Sequence, residues 1–324
     1  MEVILLARFK VVVTDYAFPN IELEKKILHD IADLIDCKDV SDEALKTELV
    51  DADGVLNGYR KFPRAFIEVA HKCRGIVRYG IGVDTIDIPA ATERKIVVCN
   101  VPDYCIDEVS DQVMAMILAC TRKLILSDYL VKSGTWSLLP LKPMYRLRGR
   151  TLGLFGFGKI ARMVAEKARP FGFKLITCDP YITDEFAEKY GVTRVDFDRL
   201  LRESDIISVH APLVEETRGI FNGVAFAKMK QGAILVNTAR GLLVNEADLA
   251  QALAEGKLGA ACLDVLGTEP PVPDNPILKA PNVTLAPHAA WYTEEALVDL
   301  QMKAAEEMRR ILLGEKPNSQ VNKF

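Results

Sequence analysis

Only four histidines occur in the 324 residues, His29, His71, His210 and His288, and the last stands in the stretch APHAAWY, residues 286–292. An imidazole beside small apolar residues is either a packed ring with satisfied nitrogens or a group that moves a proton near neutral pH. Two other segments hold ionic groups of matching chemistry. VNTARGLLVNEADL, Val236 to Leu249, runs from an apolar strand through Asn237 to Arg240 and Gly241, with a helix beginning near Asn245. Arg240 at such a strand end is a fixed fork for a carboxylate or a solvated surface charge. LDVLGTEPP closes a strand at Asp264 and sets Glu269 ahead of two prolines. A carboxylate there is a histidine's partner or an ordinary turn residue.

A fourth segment has the chemistry of a nucleotide site. TLGLFGFGKIARMVAEKARPFGFKLITCDPY, Thr151 to Tyr181, places Gly156, Gly158 and Ala161 in a G-x-G-x-x-A spacing between a strand and a helix. A second strand then ends at Asp179. Gly156 permits the tight turn, and Gly158 lets a pyrophosphate approach the helix N-terminus. Asp179 would accept hydrogen bonds from ribose hydroxyls and repel a 2′-phosphate. Strand, glycines, helix, strand and acid in this order predict a nicotinamide dinucleotide, NAD.

The elements that must position these groups alternate along the chain. Strands are expected at Val11–Thr14, Gly54–Leu56, Ile76–Arg78, Ile96–Cys99, Leu152–Phe155, Leu175–Thr177, Ile206–Val209, Ile234–Val236, Ala260–Leu263 and Val283–Ala286. Between them Ile27, Leu28, Ile31, Leu34 and Ile35 fall on one helical face, as do Leu249, Leu253 and Leu258 less cleanly. Such alternation predicts an α/β fold of parallel sheets covered by helices on both faces. A long apolar helix is expected within Cys105–Ser127, and another over Thr293–Gly314 with Thr293 as its cap. The simplest organisation is one α/β domain over residues 1–104, a second over 105–292, and a last segment, 293–324, returning to the first. Substrate is expected in the cleft between them.

Composition excludes several other classes. The chain is 49% apolar and 27% charged, as soluble globular proteins are, and its net charge of −4 provides no footprint for nucleic acid or an anionic membrane. Seven cysteines lie far apart with no C-x-x-C pair, which predicts reduced thiols and no metal site. The apolar run Val3–Ala7 is too short and wrongly flanked for a signal peptide, and no run has the length of a membrane span. A cytoplasmic location is expected.

Together RYGIGVDTID (78–87), GFGKIA with Asp179, VNTARG, LDVLGTEP and APHAAW resemble the D-isomer-specific 2-hydroxyacid dehydrogenases, which include D-3-phosphoglycerate dehydrogenase, over nearly the whole chain. APHAAWYTEEA, CNVPDYCIDEVSD and VRYGIGVDTIDI are closest to the C-terminal-binding-protein branch. The resemblance implies two Rossmann/flavodoxin-like domains, a homodimer formed through the nucleotide domain, and interconversion of a small D-2-hydroxy acid and its 2-oxo acid. It implies that Arg240 binds the substrate carboxylate and carbonyl, that His288 is the acid–base, and that Glu269 is its partner. It further implies cofactor contacts from Ile81, Phe157, Lys159, Ile160, Ala211, Pro212, Thr238, Ala239, Asp264 and Ala290, besides Gly156, Gly158, Asp179, Arg240 and His288. The Gly80–Ile81 turn would grip the substrate carboxylate, with Ile81 near the nicotinamide, while Tyr79 suggests an apolar group on the substrate. Arg60 and Arg78 either touch substrate or are structural charges, and Trp291 either walls the pocket or packs between domains.

The chemistry agrees with these roles. Hydride delivered to C2 of a 2-oxo acid leaves an oxygen that needs a proton, which an imidazolium can give. A neighbouring carboxylate favours that charged ring, and an arginine steadies the developing negative charge. Animal members of the branch act as transcriptional corepressors, so an NAD(H)-sensing binding protein is the other reading. The chain lacks a long C-terminal extension or basic localisation run, which favours the enzyme.

Overall fold

The computed structural model describes residues 8–324; the run Val3–Ala7 lies outside them. The chain divides into two compact units, Met1–Tyr104 with Thr293–Phe324, and Cys105–Tyr292.

Unit 1 holds β1 (Phe9–Val13), β2 (Ala32–Asp36), β3 (Gly54–Asn57), β4 (Gly75–Arg78) and β5 (Val97–Cys99). They form one parallel sheet in the order β2-β1-β3-β4-β5, the flavodoxin-like arrangement, whose direction reverses between β1 and β3. Its strands β3 and β4 are buried along their length, as expected for strands covered on both faces. The helix Glu294–Leu312 belongs to this unit and starts at Thr293, whose hydroxyl accepts from Ala296 N at 3.0 Å.

Unit 2 holds β6 (Thr151–Phe155), β7 (Lys174–Cys178), β8 (Thr193–Arg194), β9 (Ile206–Val209), β10 (Ala233–Asn237), β11 (Leu258–Leu263) and β12 (Val283–Leu285). Their parallel order is β12-β11-β10-β9-β6-β7-β8, a Rossmann-like sheet that reverses between β6 and β9. Adjacent residues of one strand enter opposite cores. Leu154, Ile206 and Val236 pack with Val113, Ile117 and Val164, whereas Phe155, Ile207 and Leu235 pack with Phe221, Phe226 and Leu249.

Several elements differ from the expectation. The helical face read over Ile27–Ile35 divides into a helix, Glu22–Leu28, and the strand β2. Pairing with β1 along Phe9–Val13 supplies backbone partners that outweigh the helical spacing. Leu249 and Leu253 share the helix Glu246–Ala254, but Leu258 opens β11. The helix expected within Cys105–Ser127 runs over Ile106–Thr121, and a second begins at Leu124 after Lys123 takes a left-handed φ of 50°. The short β8 was not anticipated. Among the described residues no helix is long and apolar enough to cross a membrane.

Candidate active site

The candidate residues of unit 2 stand at the carboxyl ends of its parallel strands, where α/β sheets bind ligands. Gly156, just past β6, has φ +89°. A Cβ there would lie 2.8 Å from Ala211 N, so a glycine is needed where the ends of β6 and β9 meet at the switch point. Gly158 caps the helix Lys159–Ala168, and space above it is open. Asp179 follows β7 and accepts from Phe157 N and from Tyr181 N, each at 2.8 Å. That ties the glycine turn to the second strand and leaves each oxygen a further lone pair for a ribose hydroxyl.

The remaining nucleotide residues sort by what they expose. The Phe157 ring is buried against Tyr190 and Phe186, so this residue meets the turn through its backbone. Lys159 and Pro212 are exposed, while Ile160, Thr238 and Ala239 are half-buried. The Thr238 hydroxyl oxygen is buried with no hydrogen-bond partner among the described residues. An orphaned polar atom at the carboxyl end of the sheet that carries the glycine turn is what a bound dinucleotide would satisfy. The residues present therefore fit NAD.

His288 lies 2.6 Å from Glu269, Nδ1 to Oε2. An ionised carboxylate only accepts, so Nδ1 is the donor in this pair. Burial pushes the Glu269 carboxyl up. The His288 hydrogen bond, the Leu266 N–H at 2.9 Å and the charges of His288 and Arg240 outweigh it, and hold the group below the usual range. His288 itself has φ 54°, a left-handed conformation uncommon for histidine and held by its surroundings. Its N–H donates to the Asp264 carbonyl at 2.8 Å. The buried Asp264 carboxylate accepts from Ala289 N at 2.9 Å and Ala290 N at 3.0 Å. Asp264, expected as a cofactor contact, also clamps the His288 turn.

Arg240 leaves β10 through a turn fixed by the buried Asn237. The Asn237 side chain accepts from Ala239 N at 3.0 Å and donates to the Arg240 carbonyl at 2.8 Å. Gly241 follows because a side chain there would run into the Leu266 carbonyl. Trp291 is half-buried, edge to face with Tyr292 at 5.6 Å. Burial pushes His210 down to about 3, and its Nε2 lies 2.9 Å from Ser208 Oγ, so it packs as a neutral ring.

Unit 1 treats its five candidates differently. Arg78 is buried, and its guanidinium lies against the Gly80 turn and over the Tyr59 ring. The turn is pinned by Val101 N on the Gly80 carbonyl and by Asn100 Nδ2 on the Ile81 carbonyl at 2.7 Å. Two of these side chains have partners within unit 1. Arg60 does not offer a free cation, because its guanidinium is held by the Val40 carbonyl at 2.7 Å and Asp42 at 2.8 Å. Tyr79 is buried and donates its hydroxyl to Glu24 at 2.9 Å.

Sequence reasoning missed the residues that brace the site. Asp15 receives Gly58 N, Tyr59 N and Arg60 N at 2.6–2.9 Å, fixing the loop at the switch point of unit 1. Glu246 and Asn275 similarly brace the Glu269 loop. Asp15 and Glu246 are single polar residues far in sequence from what they hold, with no local pattern to mark them.

Comparison with known proteins agrees with this arrangement. Residues 114–290 match the model of the D-isomer specific 2-hydroxyacid dehydrogenase NAD-binding domain. The chain is 40% identical over 315 residues to a D-3-phosphoglycerate dehydrogenase of Methanocaldococcus jannaschii, covering 97% of this chain and 59% of that protein. It therefore spans little more than half the length of that relative. A glyoxylate reductase of Korarchaeum cryptofilum is 38% identical over 258 residues, 79% of this chain and 78% of that protein. The structure of a D-lactate dehydrogenase from Aquifex aeolicus, complexed with NAD and lactic acid, superposes with a TM-score of 0.85 at 27% identity. That match covers 94% of this chain and 96% of the other. The glycine turn with Asp179, and the matched domain, make NAD the cofactor, and the chain belongs to the D-isomer-specific 2-hydroxyacid dehydrogenase family.

Proposed function

We propose that the protein is an NAD-dependent oxidoreductase that interconverts a small D-2-hydroxy acid and its 2-oxo acid, with His288 as acid and base. The observation that carries the reading is the 2.6 Å pairing of His288 with Glu269 in the unit that carries the dinucleotide turn. NADH, when held at the glycine turn, would supply hydride chemistry at C2. His288 gives the proton from Nε2 to the C2 oxygen as negative charge develops there. Glu269 orients the ring through Nδ1 and favours its charged form. Arg240 holds the substrate carboxylate and steadies the transition state. In the reverse direction neutral His288 accepts the hydroxyl proton.

We assign Trp291 to the substrate wall. Within unit 1 we assign Arg78 and the amides of the Gly80–Ile81 turn to an anionic group of the substrate. Relatives named for glyoxylate and for D-lactate support a short 2-oxo acid. That they are named as enzymes favours turnover over nucleotide sensing. The test is steady-state reduction of a panel of 2-oxo acids, from glyoxylate to phosphohydroxypyruvate, with NADH. Turnover of at least one is expected, and tight NADH binding with none reduced would overturn the reading.

A homodimer through unit 2 is part of this proposal. Leu124, Ile125 and Tyr129 on the helix Leu124–Lys132, then Trp136, Leu138 and Leu139, are all exposed. Beside them, at the amino ends of the strands, opens a cavity of about 940 Å³ lined by Ile125, Leu126, Tyr129, Met144 and Leu147. Contiguous apolar surface of this kind marks an interaction face. Sedimentation should show a dimer, and Ile125→Asp should shift it to monomer.

A further inference from the structure

We infer that Glu246 is a positioning residue for the Glu269–His288 pair, acting through the backbone corner at Leu266–Gly267. The inference rests on the roles proposed above for Glu269 and His288.

Glu246 opens the helix Glu246–Ala254, which Asn245 caps by accepting from Asp248 N at 3.1 Å. The Glu246 carboxylate reaches away from its own helix. Oε1 accepts from Gly267 N at 2.5 Å and Oε2 accepts from Asn275 Nδ2 at 2.5 Å. Asn275 is itself fixed: it is buried, and its Oδ1 accepts from Ile277 N at 3.0 Å. One carboxylate therefore holds both ends of the segment 267–275, and Glu269 stands inside it.

From there the path to the imidazole is continuous. Leu266 N, one residue from the clamped Gly267 N, donates to Glu269 Oε1 at 2.9 Å. The other oxygen of Glu269 meets His288 Nδ1 at 2.6 Å. The corner cannot retreat toward β10, because the Gly241 backbone already abuts the Leu266 carbonyl. It is held on one side by Gly241 and on the other by Glu246. A single short stretch, residues 240–246, thus provides both Arg240 and the brace of the acid–base pair. A carboxylate suits the position because it accepts from both donors at once, and bonds to an ionised acceptor are the stronger kind. A glutamine would face the Asn275 amide hydrogens with its own.

The test is the pH profile of kcat for reduction of an accepted 2-oxo acid at saturating NADH. It compares the wild-type protein with Glu246→Gln, Glu269→Gln, the two combined, and Glu246→Gln with Asn275→Asp. A misplaced catalytic group costs up to roughly 100-fold, so Glu246→Gln should lower kcat roughly 10- to 100-fold with NADH binding preserved. It should also move the alkaline limb to lower pH, in the direction of Glu269→Gln but less far. Adding Asn275→Asp restores an acceptor opposite the new amide and should return the limb toward the wild-type position. In the Glu269→Gln background the Glu246 change should move the limb no further. A fall in kcat with the limb unmoved would show that Glu246 braces the fold only, and would overturn the inference. If Glu269→Gln leaves the limb in place, the reading of the pair itself fails, and the inference with it. Should Glu246→Gln not fold, Glu246→Asp, whose shorter side chain keeps the charge but cannot reach Gly267 N and Asn275 Nδ2 together, is judged by the same two outcomes.

Discussion

Glu269 contacts His288 through one carboxylate oxygen and the Leu266 amide through the other, so the imidazole is oriented by a carboxylate that is itself anchored to backbone. The ring has little freedom at Nδ1. In the proposed reaction, proton traffic with substrate falls to Nε2.

Glu269→Gln keeps the shape of this contact and removes its charge. The imidazolium loses the carboxylate that favours it, so the proton donor is lost earlier as pH rises. The alkaline limb of the reduction profile should move to lower pH, with NADH affinity unchanged. A limb that stays in place while chemistry is rate-limiting would leave Glu269 with a packing role.

Asp264→Asn tests the clamp on the His288 turn. Its carboxylate accepts from two amides, and an isosteric carboxamide can accept from one while turning its own N–H groups toward the other. A buried donor left unpaired costs about 1–3 kcal/mol. We expect a loss of stability of that order and a fall in kcat of roughly tenfold or more as His288 leaves its strained φ. Denaturation curves and turnover measured together check it; unchanged values in both would remove Asp264 from the account.

Asp179 should set the cofactor preference. Its carboxylate sits at the end of β7, bonded to Phe157 N and Tyr181 N, and a 2′-phosphate would bring like charge to it. Pro180, Tyr181 and Ile182 supply no cation to offset the repulsion. At least about tenfold preference for NADH over NADPH is expected, equivalent to about 1.4 kcal/mol. Asp179→Ala should narrow it, and comparable kcat/KM for both cofactors in the unaltered protein would contradict this.

In unit 1 Glu24 is buried and receives hydrogen bonds from Tyr79 and Gln301. Burial raises its pKa above the ordinary value near 4.5 despite those bonds. A carboxyl raised on folding binds its proton more tightly in the native state. Its stabilising contribution is therefore present below pH about 4.5 and is lost as pH rises through the folded value. Glu24→Gln does not titrate, so its stability relative to wild type should increase across that window. Hydrogen exchange of unit 1 amides from pH 4 to 8 reads it, and parallel curves for the two proteins would contradict it.

How much of this was legible beforehand follows from where the signals lie. Gly156, Gly158 and Asp179 sit within one strand–helix–strand passage, so local spacing reveals them. His288, Arg240 and Glu269 were visible as residue types beside strand ends. Their contacts join positions far apart in sequence and needed the fold. The strand Ala32–Asp36 was hidden because its apolar residues also satisfy a helical spacing, and only pairing with β1 decides between them. Arg60 and Tyr79 had suitable chemistry for a ligand, but Asp42 and Glu24 determine which way they turn. Glu246 was unreadable for the same reason: what it holds begins 21 residues later.

The central claim is that His288 moves the substrate proton, and His288→Asn tests it most directly. Asparagine cannot donate a proton at neutral pH, yet it is small enough to occupy the turn that Asp264 holds. With a 2-oxo acid that the wild-type protein reduces, kcat should fall by roughly 10²- to 10⁴-fold, the usual share of a general acid. NADH affinity, measured by fluorescence titration of the same sample, should change little. Near-wild-type turnover in the variant, with its fold intact, would contradict the account.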